Sequence, residues 1–291
     1  MEPTSKSRNS ILKVVKFLIA GVFAATLSYF FLFPQLFYCQ TIYFSDFRQL
    51  PDGVFVSPAV KPDQQQLIQK VVSGAEMRVD SFYSGKESHP IFIICTSPEQ
   101  YEKYCNGTEG EGCSVGTPWG ETWIVLNLDG INIDVTSHEL SHVELLARLG
   151  WWKITFDVPQ WFNEGMALML DRRFVNDRDP VGQYISYYDE WLYYTGGAQI
   201  ILELHEISSL RQFFNGSQKQ VMLAYMTSGM EVSYWMASMK KDGFSQFLKL
   251  SASGASFESA YGLAEKMNRL QNANSLPVNP LRLSQFAKNN E

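Results

Sequence analysis

Between Phe17 and Ser45 the chain carries no charged side chain. Its heart, Phe17 to Phe33, is almost wholly apolar, and with Leu36, Phe37 and Tyr38 it reaches the roughly 20 residues a helix needs to cross a bilayer. Hydrocarbon offers the backbone no water to bond, so such a stretch is confined to helix. Lys6, Arg8, Lys13 and Lys16 precede it against Glu2 alone, and the first charge beyond it is Asp46. This asymmetry predicts a cytoplasmic basic stub over 1–16, a single transmembrane anchor over 17–38 and an extracytoplasmic body (periplasmic or outer-face if bacterial). A cleaved signal peptide is the rival reading. It calls for a shorter apolar core and a small-x-small exit, whereas the exit here is Phe33-Pro34-Gln35-Leu36-Phe37-Tyr38-Cys39.

The 291 residues leave room for one sizeable domain behind the anchor, and a composition 45% hydrophobic and 14% aromatic suits a packed core. The stub holds a formal +3 in a chain of net −6, so the body is acidic. That argues against nucleic acid or an anionic membrane surface as its partner. Residues 39–61 read as a connector, 62–270 as the domain and the polar, Asn-rich 271–291 as a loosely ordered tail. Four cysteines in an exported chain allow disulfides. Cys105 and Cys113 flank a Gly- and Glu-rich loop that a bridge would close at little entropic cost. The alternative leaves them free, with Cys95 a small buried hydrophobe. Asn106-Gly-Thr108 and Asn215-Gly-Ser217 fit the glycosylation triplet, relevant only in a eukaryotic secretory route.

Helical spacing of apolar residues runs from Pro62 to Gly85, and Ile91–Cys95 reads as a buried strand. A helix starts at Ser97-Pro98, and Trp123–Leu128 is the second strand. Further helices are predicted from Asp134 or Thr136 to Gly150, from Pro159, and around 183–206, 218–240 and 243–250. The pattern is α+β: a small N-terminal mixed sheet, then a mainly helical half.

Two segments of that helical half carry chemistry. His138-Glu139-Leu140-Ser141-His142 places two imidazoles four residues apart, on one helix face, where they can hold one Zn²⁺. Glu139 lies on the rim of that face, placed to take a proton from a zinc-bound water. The Trp161-Phe162-Asn163-Glu164-Gly165 segment brings Glu164 on a second helix, 22 positions after His142. Its neighbours are apolar nearly all round, so a carboxylate there needs a partner, and the zinc supplies one. The competing reading is a surface helix with unrelated histidines and an ordinary exposed glutamate.

With Met166 and Ala167 following, these segments resemble the gluzincin metallopeptidases, most of all the compact peptidase MA-like group, and are similar to the corresponding signature of aminopeptidase N. The likeness is strongest over 120–171 and extends over about 62–265, through Ala224-Tyr225 and Lys241-Asp-Gly-Phe. It implies a zincin-like domain in which His138, His142 and Glu164 bind one zinc and Glu139 is the catalytic base. It also suggests Asp171, two turns beyond Glu164 on the same face, as the carboxylate that orients a ligand histidine; pairing with Arg172 or Arg173 is the alternative. A tyrosine from a later helix would steady the oxyanion, a place Tyr225 fills, with Tyr234 and the 184–194 cluster as rivals.

Trp123–Leu128 is expected to edge the cleft, so that Trp123, Val125 and Asn127 would meet an extended substrate; a sheet interior competes with this. The Gly-Ala-Met-Glu-Asn segment that captures a substrate amino terminus in the aminopeptidases is absent, and Gly116-Thr-Pro-Trp-Gly120 stands in its place. The expectation is a membrane-anchored zinc endopeptidase acting on protein or peptide. An inactive zinc-binding scaffold and a hydrolase of a non-peptide amide or ester are the alternatives.

Overall fold

An uncharged run of this length satisfies its backbone within itself, and from Phe17 to Leu32 it does so as the larger part of one helix, α1 (Ser5–Leu32). The computed structural model describes residues 5–105, 107, 110–239, 242–268 and 276–282. Within α1, Val14–Leu32 is long and apolar enough to cross a membrane, and none of it is buried. Pro34 ends the helix by holding Phe33 outside the helical region (φ −134°, ψ 57°). The expected span of 17–38 is thus not one continuous helix. Pro34–Gln40 forms a separate helix, α2, whose Leu36 and Tyr38 pack on the body of the protein. Of the expected stub, residues 1–4 lie outside the described residues.

Residues 39–61 do more than connect. They supply strands β1 (Arg48–Leu50) and β2 (Val54–Val56), which pair antiparallel across a turn where Asp52 and Gly53 take positive φ. Helix α3 (Pro62–Tyr83) then crosses to β3 (Ile91–Cys95), parallel to β2. After α4 (Pro98–Cys105) the chain forms β4 (Gly112–Gly116) and turns back as β5 (Thr122–Asn127). The five-stranded sheet has the order β1-β2-β3-β5-β4. Strand β5 thus lies between β3 and β4, and β4 is the edge. The expectation for Trp123–Leu128 fails because Gly112-Cys-Ser-Val-Gly116, small and glycine-bounded, carries no strand periodicity.

Side chains alternate across the sheet. Val54, Val56, Phe92, Ile94, Ile124 and Leu126 face the main core, while Phe55, Ile93, Cys95, Trp123 and Val125 face a smaller one with Tyr101 and Tyr104 of α4. Cys39 and Ile42 join the smaller core, so the stretch that follows α1 is packed onto the body.

On the main face lie α5 (Ile133–Leu149), α6 (Trp151–Phe156) and α7 (Gln160–Leu168), followed by α8 (Pro180–Thr195), α9 (Leu210–Phe214), α10 (Gln218–Ala237), α11 (Gly243–Ala252) and α12 (Phe257–Asn268). The result is a mixed α+β body behind one apolar N-terminal helix. Phe162 of α7, fully buried, meets the rings of Trp235, Phe247, Phe257 and Tyr261. Beside it, a Cβ on Gly165 would come within 2.4 Å of Val232 and 2.8 Å of the Ser228 carbonyl of α10. Any larger residue there would push α7 off α10 and displace Glu164.

The expected loose tail is in part packed: Asn279 and Leu281 are buried. Residues 271–275 and 283–291, the Asn106-Gly-Thr108 triplet apart from Gly107, and Lys241 lie outside the described residues.

Candidate metal centre

Helix α5 opens with the Asn132 side chain accepting from the Asp134 and Val135 amides, both at 2.9 Å, and closes at Gly150 (φ +82°). Val135, Leu140, Val143 and Leu145 bury the helix in the main core on several sides. His138 and His142, one turn apart, stand together with ring centroids 4.9 Å apart, and Glu139 is buried beside His138. Helix α7 brings in Glu164, only 4% exposed.

His138 Nε2 lies 3.3 Å and His142 Nε2 3.7 Å from Glu164 Oε2. One ligand atom from each residue falls within 4.8 Å of the others, so the three can hold a metal ion. The other atoms of these groups are tied down. Glu164 Oε1 accepts from Gln160 Nε2 at 2.7 Å, and His142 Nδ1 is 3.0 Å from Asn163 Oδ1. Glu164 Oε2 is buried and has no hydrogen-bond partner. An ionised carboxylate oxygen aimed at two imidazoles and otherwise unsatisfied fits a cation.

Asp171 stands behind His138, its Oδ2 3.3 Å from Nδ1, at ion-pair distance but outside hydrogen-bond alignment. It does not lie on the face of α7, because that helix ends at Leu168 and Asp171 follows in the turn. Arg173 grips it through Nε (2.9 and 3.1 Å) and NH2 (2.6 Å), and also binds Glu111 ahead of β4. Both readings of Asp171 thus describe one arrangement: it faces the histidine and pairs with Arg173.

The charges show the same demand. Burial works against a charged His138, yet Asp171 and Glu164 outweigh it and hold the imidazole pKa up to about 10. Burial likewise opposes the Glu164 and Asp171 carboxylates, but His142 and His138 lower the first, and His138 and Arg173 lower the second.

The centre opens into a cleft of about 620 Å³. One wall is β4, so close that a Cβ on Gly112 would lie 3.0 Å from Glu139 Cγ. The other walls come from α5, α6, α7, α9 and the start of α10, including Leu146, Trp151, Ile154, Phe214 and Val221. Tyr225 lines this cleft, between the rings of Phe174 and Phe213. Burial, then Glu164 and Glu139, raise its pKa, so the phenol stays protonated as a donor. Neither Tyr234 nor the 184–194 tyrosines line the cleft. Tyr234 packs on Tyr184 and Arg282.

Trp123, Val125 and Asn127 do not meet the cleft either; Trp123 and Val125 point into the smaller core. Cys113, Ser114 and Val115 of β4 line the cleft instead. A disulfide joins Cys113 to Cys105 at the end of α4. Sequence reasoning passed over Gln160 and Asn163. The signal for Gln160 was present, since it precedes Glu164 by four residues on one helix face.

No protein-family model matches the chain, and a search of curated proteins likewise finds no match.

Proposed function

We propose that this chain is a membrane-anchored zinc metallopeptidase of gluzincin type, with a zincin-like domain held outside the membrane and the N-terminus in the cytoplasm. The observation that carries the proposal is the convergence of His138, His142 and the unpartnered Glu164 oxygen beside Glu139 in a cleft. Two imidazoles and a carboxylate form a donor set suited to zinc with an open position. Zinc held by these three residues supplies Lewis acidity and a lowered pKa for water.

The chain's own groups do the rest. Asn163 and Asp171 fix the ring orientations of His142 and His138. The Glu139 carboxylate takes a proton from the attacking water and returns it to the leaving amine. The Tyr225 hydroxyl donates to the carbonyl oxygen as it gains charge. An extended peptide pairs with the outer edge of β4, the role first assigned to β5. The missing aminopeptidase segment favours cleavage within chains. The basic residues in the first half of α1, Lys6, Arg8, Lys13 and Lys16, set the orientation.

Digestion of a peptide library by the zinc-loaded full chain, with and without chelator, tests this. Glu139→Gln is expected to keep its metal and lose hydrolysis by about 10²–10⁴-fold. A Gln variant that still cleaves contradicts the mechanism; a metal-loaded wild type that cleaves nothing points to a scaffold, and one that cleaves only esters to another substrate class.

A further inference from the structure

Three large rings stand exposed at one end of the cleft. Trp119, 60% exposed, lies in the turn between β4 and β5, while Trp152 and Phe156, 66% and 72% exposed, stack on each other along α6. The other exposed residue of α6 is Thr155, so this face is uncharged; Lys153 folds back onto Asp157. The turn and α6 share an end of the cleft because Gly116, the last residue of β4, packs on Leu146, whose carbonyl accepts the Gly150 amide just before α6. Gly116 and Trp151 both line the cleft there.

Helix α1 reaches the same end. Tyr29 lies 6.4 Å, ring to ring, from Trp119, and its hydroxyl donates to Gln40 Oε1 at 3.1 Å. Gln40 Nε2 and Trp119 Nε1 both donate to Glu121 Oε2, at 2.9 and 2.7 Å. The apolar stretch of α1 runs to Leu32, which puts Tyr29 within its last turn. A ring beside Tyr29 therefore lies where hydrocarbon gives way to headgroups, the layer that tryptophan and tyrosine favour.

We infer that Trp119 and the Trp152–Phe156 face of α6 rest in the headgroup layer of the bilayer that α1 crosses, so that this end of the cleft opens against the membrane. The inference rests on the reading of α1 as an anchor. The body is acidic, so the seat is made by rings rather than by charge attraction and forms on zwitterionic lipid.

The test places the full chain in phosphatidylcholine vesicles in which part of the lipid carries bromine on the upper acyl chain, a short-range quencher of indole emission. The wild type is expected to be quenched. Trp119→Phe and Trp152→Phe should each lose a part of that quenching, and the double variant should lose the most. Trp152→Phe is the stricter arm, because Trp119 touches the anchor itself. Quenching equal in the wild type and Trp152→Phe overturns the seating of α6 while the anchor stands. Alkaline washing and flotation of the same vesicles separate the two claims: a chain that washes off has no anchor, and both readings fall.

Discussion

Two clusters of buried ionisable groups are finished differently in this molecule. In the first, Glu231 Oε1 accepts from Tyr261 and Arg282, both at 2.7 Å, and Oε2 from Asn279 at 2.6 Å. Arg282 turns its remaining nitrogen to Glu265, at 2.7 and 2.8 Å. These charges close on one another and clamp α10, α12 and the segment 276–282 together. In the second cluster, His138, His142 and Glu164 converge, and Glu164 Oε2 faces both imidazoles without an aligned hydrogen bond. Burial is the same in kind, but the first network is complete within the chain, while the second leaves three ligand atoms placed to hold a cation. A buried carboxylate oxygen without a hydrogen bond calls for a partner, and a bound ion is one that fits.

The sharpest way to break this contrast is Arg282→Met. It strands the Glu231 charge and is expected to cost about 3–5 kcal/mol of unfolding free energy, read by denaturant titration of the full chain in detergent, with metal content unchanged. An unchanged stability would refute the clamp.

The second cluster should respond to pH through its metal. His138, with its pKa held up to about 10, keeps a proton at neutral pH that a metal must displace. Affinity should therefore rise about tenfold per unit between pH 7 and 10, with one proton released per ion at neutral pH. Calorimetry in buffers of different ionisation enthalpy counts that proton. In the metal-free chain the sign is the reverse: the stability His138 contributes is full below the ordinary imidazole value and is lost as pH rises through about 10.

Smaller effects are expected behind the ligands. Asp171→Asn should weaken metal binding about 10–100-fold, and Asn163→Ala should fall near the lower end of that range. Competition with a metal-binding dye measures both, and no loss in either would remove their orienting role.

Much of the centre was legible because its residues sit at short helical spacings. The i, i+4 histidines, the Gly150 stop of α5 and the apolar surroundings of Glu164 are all local signals, whereas the Asn132 cap lies two residues before the earlier of the expected starts. The legible strands were the two with bulky β-branched or aromatic runs, Ile91–Cys95 and Trp123–Asn127. Strands β1 and β2 have three residues each, and β4 is built of small ones, so their pairing is decided by the sheet and not by their own pattern. That is why the edge was misplaced. Asp171 lies past a helix end whose position is set by packing, and Asn279 and Arg282 find Glu231 about 50 residues away with no local cue.

The central claim is that His138, His142 and Glu164 together hold one metal ion. Elemental analysis of the full chain, purified without chelator and exposed to equimolar zinc, tests it most directly against the His138→Ala/His142→Ala double variant and Glu164→Gln. The expected result is one zinc per wild-type chain, none retained by the double variant and a marked loss in Glu164→Gln. A wild type that takes up no zinc, or variants that hold as much as the wild type, would contradict it.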